Sequence, residues 1–239
     1  MRNAKILMIC TSHAALGTSG KATGVWSEEL TTPYYAFIDA GAKVDVASIQ
    51  GGEVPIEPNS CKALGENTAS VERYLKDRDL QARLNHSLSI AALDWTGYDA
   101  FFLPGGHGVM WDLPTSETLA RLLSAAYAND RIIAAVCHGP AGLVNVKTPE
   151  GTPLVAGKRV TAFTNSEEQA VGLSSIVPFL LETSLRALDA RFEHAPDFRP
   201  FAVVDDRLVT GQNPASSELV AQHVLDLLVK VTNLVGTNI

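Results

Sequence analysis

Two side chains of opposite proton chemistry stand together in "IIAAVCHGPAGL", residues 132–143. An apolar run ends in Cys137 and His138, followed by Gly139 and Pro140. A thiol is a soft nucleophile, and an imidazole titrates near neutrality, so the pair could take up a proton while forming a covalent adduct. A reactive cysteine must also be presented, and a sharp turn at a strand end does that. The usual elbow pattern GxSxG is absent here, and a buried, inert cysteine is the plain alternative. If a helix followed, its free N–H groups would point at the sulfur and favour the thiolate.

Three further segments carry chemistry. Pro104-Gly105-Gly106-His107-Gly108 follows the apolar run "AFFL". Glycines there let the backbone approach a ligand, and the Gly106 and His138 N–H groups are the expected oxyanion donors, with His107 and Gly139 beside them. "TGVWSEEL", residues 23–30, places Glu28 and Glu29 at a helix start. Burial beside the thiol would raise the pKa of either carboxyl and suit it to shuttling a proton. "TAFTNSEEQAVG", residues 161–172, offers Glu167 and Glu168, either of which could orient His138. Spacing does not separate the members of either pair, and acidic residues also favour helix N-termini for purely structural reasons. His13, His107 and His138 lack HExxH or other metal-ligand spacing, so no metal is expected. GGHG lacks the GxGxxG spacing, so no dinucleotide cofactor is expected.

The elements that must position these groups can be read from apolar periodicity. Residues 5–10, 43–48, 100–106 and 132–137 are continuous apolar runs, as in strands covered on both faces. "KRVTAF", residues 158–163, reads as a fifth. Helical spacing occupies 28–40, stopped by Gly41; 116–128, capped by Ser116; and 215–230, with Leu219, Val220, Val224, Leu227 and Leu228. Strand–helix alternation predicts a doubly wound, mostly parallel α/β sheet sandwiched by helices. In such sheets ligands bind at the carboxyl ends of the strands, where all four segments fall. Residues 50–93 break the rhythm. They read as a helical insertion, a flap with a charged stretch over 70–84, within one domain spanning 1–239.

Composition narrows the class. The chain has 239 residues, a formal net charge of -7, and three cysteines with no CxxC. An acidic balance argues against nucleic acid as partner, and sparse cysteines suit a reducing cytoplasm. No apolar run approaches the roughly 18 residues of a membrane span, and the N-terminal apolar stretch is too short for a secretory signal.

In order and spacing these motifs resemble the ThiJ/PfpI superfamily, and within it the heat-shock chaperone-like glyoxalase III proteins. "AAVCHGPAGL", "TGVWSEEL" with Pro33, "FFLPGGHGVMWDLP", "LVAGKRVTAFTNSEE" and "LVTGQNPASS" carry the resemblance, over about residues 4–229. It implies a flavodoxin-like fold related to class I glutamine amidotransferases. It further implies Cys137 as nucleophile, His138 beside it, Glu29 as the acid partner of the thiol, and Glu168 as the third triad member. One departure is the adjacent pair Glu167-Glu168, where relatives carry a single acid. The implied reaction is cofactor-free conversion of methylglyoxal and related 2-oxoaldehydes to 2-hydroxy acids such as D-lactate, by a homodimer. A cysteine hydrolase, an amidase or a protein deglycase would use the same groups. A holding chaperone or redox sensor would use the thiol alone. An amidotransferase subunit is disfavoured, because the only late histidines, His194 and His223, begin no HxE pattern.

Overall fold

The computed structural model describes residues 4–236. Its centre is a seven-stranded sheet ordered β3-β2-β1-β4-β5-β9-β8. The inner strands β1 (Lys5–Cys10), β2 (Lys43–Ser48), β4 (Ala100–Leu103) and β5 (Ile132–Val136) are parallel and almost wholly buried. Successive strand residues face opposite sides, so each strand feeds two cores. Leu7, Ile9, Phe101, Leu103 and Ile133 pack under α5 (Glu117–Ala128). Ile6, Met8, Phe102, Ala134 and Val136 pack under α1 (Ser27–Asp39) and α8 (Ser217–Gly236). The architecture is the flavodoxin-like α/β sandwich the alternation predicts.

Chain order reverses direction between β1 and β4, where β1 is followed outward by β2 and β4 by β5. The loops leaving the two strands part there and leave a crevice at their carboxyl ends.

Local signals act as expected at several boundaries. Ser116 Oγ accepts the Leu119 N–H at 3.2 Å and starts α5. Gly41, at φ +85°, ends the α1 region.

The structure differs from the sequence reading in five places. Strand β4 stops at Leu103, since Pro104 offers no N–H to a ladder. "KRVTAF" gives only the two-residue β6 (Arg159–Val160), which lies outside the main sheet and pairs with β7 (Arg191–Phe192). The hairpin β8 (Ala202–Asp205) and β9 (Leu208–Gly211) fills the sheet edge instead, with β8 antiparallel. Helix α8 begins at Ser217 and leaves Leu219 42% exposed, because the apolar stripe turns its other members, not this one, to the core.

The fifth difference is residues 50–93. They hold α2 (Ala69–Tyr74), α3 (Arg78–Asn85) and a two-residue edge strand, β3 (Leu88–Ser89). Asp77 separates the two helices because its Oδ1 caps Asp79 and Leu80. This segment is packed against α1, and none of its residues lines the cavity above the thiol. Thr31 and Thr32 bond Ser70, Tyr35 bonds Asp77, and Arg73 forks onto Asp39 at 2.7 and 2.9 Å.

Two short helices complete the elements near the crevice: α4 (Val109–Asp112) follows the glycine loop and α6 (Asn165–Ala170) carries the glutamate pair. Helix α7 (Leu181–Ala187) turns Leu181 and Leu185 into the same core as α5.

Candidate active site

Cys137 is the first residue beyond β5, and its backbone sits at φ +59°. A side chain with a Cβ pays roughly 1–2 kcal/mol to occupy that region. Two partners hold it there. The Cys137 N–H donates to Gly211 O at 2.9 Å, and its carbonyl accepts the Phe163 N–H at 2.9 Å. One bond comes from β9 and the other from the loop before α6, so the turn is fixed from both sides. The elbow geometry is therefore present without the GxSxG pattern.

The thiol is not openly displayed. Cys137 is 3% exposed and lies at the floor of a cavity of about 180 Å³. Trp26, Phe163, Val171, Phe198 and Pro214 form its apolar walls, with Gly106, His107 and His138 near the sulfur. No residue of the 50–93 insertion lines it. The volume lies below the ~300–1,000 Å³ of sites for drug-sized ligands, which suits a small substrate.

A chain of three side chains leads away from the sulfur. Cys137 Sγ lies 3.3 Å from His138 Nδ1, and His138 Nε2 lies 2.7 Å from Glu168 Oε2. The other Glu168 oxygen meets His107 Nε2 at 2.9 Å. Burial alone would raise the Glu168 pKa, but hydrogen bonds from the two imidazoles outweigh it and hold the carboxyl at about 2. Burial, with neighbouring His107, pushes His138 down to about 4. At neutral pH Glu168 is thus an anion and His138 is neutral. A carboxylate accepts only, so His138 carries its proton on Nε2, and the bare Nδ1 faces the thiol. That is the tautomer a base needs.

Glu29, in the first turn of α1, approaches from the opposite wall and is fully buried. Its Oε2 accepts the Gly105 N–H at 2.8 Å. Its Oε1 makes no well-formed hydrogen bond within the protein, although the carboxyl is coupled to the Cys137 thiol. Burial raises its pKa to about 8, against the lowering effects of Cys137 and the Gly105 N–H. Glu28, on the adjacent turn position, is only half-buried and makes no contact with the sulfur among the described interactions. Glu29 is the member of that pair brought to Cys137.

The expected thiolate needs correction. The segment after Cys137 is a five-residue 3₁₀ turn, Gly139–Leu143, too short to focus a strong dipole on the sulfur. Burial, then the charge of Glu29, push the thiol well above its usual pKa, and the His138 N–H only partly offsets them. The resting sulfur is a protonated thiol between the bare His138 Nδ1 and the Glu29 carboxyl.

Gly105 and Gly106 are needed for close approach. A Cβ on Gly105 would lie 2.6 Å from Val136 O, 2.7 Å from Glu29 Oε2 and 2.7 Å from the His138 N. Gly106 sits at φ +97°, and a Cβ there would lie 2.4 Å from Gly24 O. Gly106 lines the cavity, and its N–H takes no partner among the described hydrogen bonds. Gly139, expected to contact substrate, does not line the cavity. It packs against the end of β4, where a Cβ would come 2.2 Å from Leu103 O. His107 lines the cavity, but its imidazole is bonded to Glu168 as well.

The adjacent glutamates divide the work. Glu168 faces His138, while Glu167 turns into the protein and forms a capping box with Thr164. Ser166, beside them, donates its hydroxyl to Asp197 Oδ1. His107, His138 and Glu168 hold ligand atoms within 4.8 Å of one another, so they could grip a divalent cation if it displaced their mutual hydrogen bonds.

Sequence reasoning did not find the apolar walls. Trp26 and Phe163 stand within the quoted motifs, next to Glu29 and Glu168, and proximity was their available signal. Phe198, in "APDFRP", had none beyond its flanking prolines.

Known proteins share this arrangement of chain. The DJ-1/PfpI family profile matches residues 20–227. The glutathione-independent glyoxalase hsp3101 of Schizosaccharomyces pombe is 34% identical over 238 residues, spanning 92% of this chain and 94% of that protein. Glyoxalase 3 of Candida albicans is 30% identical, spanning 92% and 97%. Among solved structures, the Rapid Encystment Protein 24 kDa of Francisella tularensis superposes with a TM-score of 0.88 at 38% identity, covering 94% of this chain and 97% of that one. Candida albicans glyoxalase III superposes with a TM-score of 0.85 at 28% identity, covering 93% and 96%.

Proposed function

The chain belongs to the DJ-1/PfpI family, and from that premise we propose that it is a glutathione-independent glyoxalase acting on small 2-oxoaldehydes. The observation that carries the mechanism is one sulfur set between a bare imidazole nitrogen, His138 Nδ1, and the buried Glu29 carboxyl, at the floor of an apolar cavity.

Cys137 adds to the aldehyde carbon while its proton passes to His138 Nδ1, giving a hemithioacetal. Glu168 holds the imidazole in the required tautomer and stabilises the charge it gains. The Gly106 and His138 N–H groups receive the oxyanion. Glu29, when ionised, takes the proton from the former aldehyde carbon and returns it to the neighbouring carbon through an enediol. A thioester results, and water releases the 2-hydroxy acid and restores the thiol. The sum is one oxoaldehyde plus one water to one hydroxy acid, an internal redox change needing no external oxidant. A carboxyl with a pKa near 8 is a stronger base than an exposed glutamate, and enough of it is ionised at neutral pH to act.

The test is product analysis. The purified protein, given methylglyoxal without glutathione, is expected to form lactate, and Cys137→Ala is expected to form none while keeping its circular dichroism spectrum. Lactate formation by the alanine variant would remove Cys137 from the chemistry. The same reading includes a cytoplasmic homodimer independent of nucleic acid and membrane. The net charge of -7 supports the independence of nucleic acid, three unpaired cysteines support the location, and no described helix is long and apolar enough to cross a membrane, while the dimer rests on the resemblance. Light scattering tests the dimer.

A further inference from the structure

The cavity has one wall that is built differently from the rest. Phe198 is 47% exposed, yet it lines the mouth above the sulfur, with its ring centroid 6.3 Å from that of Phe163. Its backbone is left-handed, at φ +59°, in a segment with no regular secondary structure. An exposed aromatic residue in that conformation needs an external restraint.

Glu167 supplies it. This carboxylate is wholly buried and accepts four hydrogen bonds. Thr164 N and Thr164 Oγ1 reach Oε2 at 3.0 Å each. The Phe198 N–H reaches Oε1 at 2.7 Å, and Asn213 Nδ2 at 2.9 Å. Asn213 Nδ2 also holds Arg199 O at 2.9 Å, and Ser166 Oγ holds Asp197 Oδ1 at 2.6 Å. Residues on both sides of Phe198 are therefore tied to α6 or to the loop after β9. Glu167 is adjacent to the glutamate that orients His138, so the same short helix sets both the base and the wall.

Chemistry decides what such a wall selects. Phe163, Phe198, Val171, Trp26 and Pro214 present carbon, not hydrogen-bond partners, to whatever extends from the carbonyl pair. A hydroxylated substituent would lose water there without replacement, whereas an aryl or branched alkyl group would bury apolar surface against the mutually tilted Phe163 and Phe198 rings. We propose that Phe198 determines specificity and that Glu167 is a positioning residue acting through it, so that the enzyme prefers 2-oxoaldehydes bearing a bulky apolar substituent. This rests on the glyoxalase reading of the site and names its substrate class.

The experiment compares kcat/KM for phenylglyoxal and methylglyoxal, with hydroxy-acid product as readout, in the wild type, Phe198→Ala, Glu167→Gln and Asn213→Ala. The wild type is expected to favour phenylglyoxal by about tenfold or more, the scale of an added apolar group in a fitted pocket. Phe198→Ala is expected to lower that ratio at least about fivefold, chiefly through a higher KM for phenylglyoxal. Phe198→Leu, which keeps an apolar wall, is expected to recover part of it. Glu167→Gln turns an amide donor toward existing donors and is expected to shift the ratio the same way. Should that variant not fold, Asn213→Ala releases the same loop and carries the test. A wild type without preference, or variants with an unchanged ratio, would overturn the proposal while the glyoxalase reading stands. Absence of hydroxy acid from both aldehydes in the wild type would overturn both.

Discussion

At the scale of single residues, the site works by separating the pKa values of two groups that touch one sulfur. His138 is held neutral to about pH 4, and Glu29 keeps its proton to about pH 8. If Glu29 must be ionised to move the carbon-bound proton, kcat/KM rises with pH through an apparent pKa near 8. Glu29→Gln is expected to lower kcat by on the order of 10²–10⁴-fold, the usual worth of a general base, and to erase that rise. A stopped pH series with both proteins checks this, and activity that falls as pH rises past 8 would assign the protonated carboxyl the working role instead. Cys137 and His138 were legible in the sequence because their types and neighbours stated their chemistry, whereas residue type and spacing left Glu167 and Glu168 unseparated. Choosing Glu29 over Glu28 was not legible from spacing, since only burial separates them, and burial is decided by what packs against the helix.

At the scale of elements, the glycine loop after β4 positions the acid and the elbow together. Gly105→Ala would drive a methyl group into Glu29 Oε2 and the His138 N at 2.7 Å each. Overpacking of that kind costs about 1–3 kcal/mol, and here the yielding atoms are the reacting ones. Activity is therefore expected to fall much further than thermal stability, with a loss of at least about 10²-fold in kcat, as for a small misplacement of reacting groups. Ser116→Ala is the contrasting case. It removes the cap of α5 at a residue that does not line the cavity, and is expected to cost about 1 kcal/mol in chemical denaturation with activity intact. The long buried strands were legible because their apolar runs leave no other solution. The two-residue strands β3, β6 and β7 were not, because so short a pairing is set by neighbours and not by its own sequence. Where residues 50–93 pack was not legible for a related reason: Arg73, Ser70 and Asp77 read as a solvated helix face until Asp39, Thr31 and Tyr35 of α1 are placed opposite them.

At the scale of the whole molecule, the same buried acids and bases govern stability against pH. Glu29 ionises near 4.5 in an unfolded chain and near 8 in the folded one. Between these values the folded state holds the extra proton, so stability falls as pH rises, by up to ~1.4 kcal/mol per pH unit. His138 acts in the opposite sense. Its folded pKa of about 4 lies below the ordinary 6.5, so stability is lost as pH falls through that window. From pH 6.5 to 8 Glu29 acts without this opposition. Glu29→Gln is expected to raise the unfolding midpoint relative to the wild type more at pH 8 than at pH 6.5, measured by urea titration at both. An equal change at both values would mean that the carboxyl is ionised well below 8.

The backbone of Cys137 is held by bonds from Phe163 and from Gly211, residues 26 and 74 positions further along the chain. A nascent polypeptide that has just left the ribosome with its thiol, imidazole and both acids already made still lacks the strand that clamps the turn. The turn that presents the sulfur is therefore clamped from both sides only once the β8–β9 hairpin has been made.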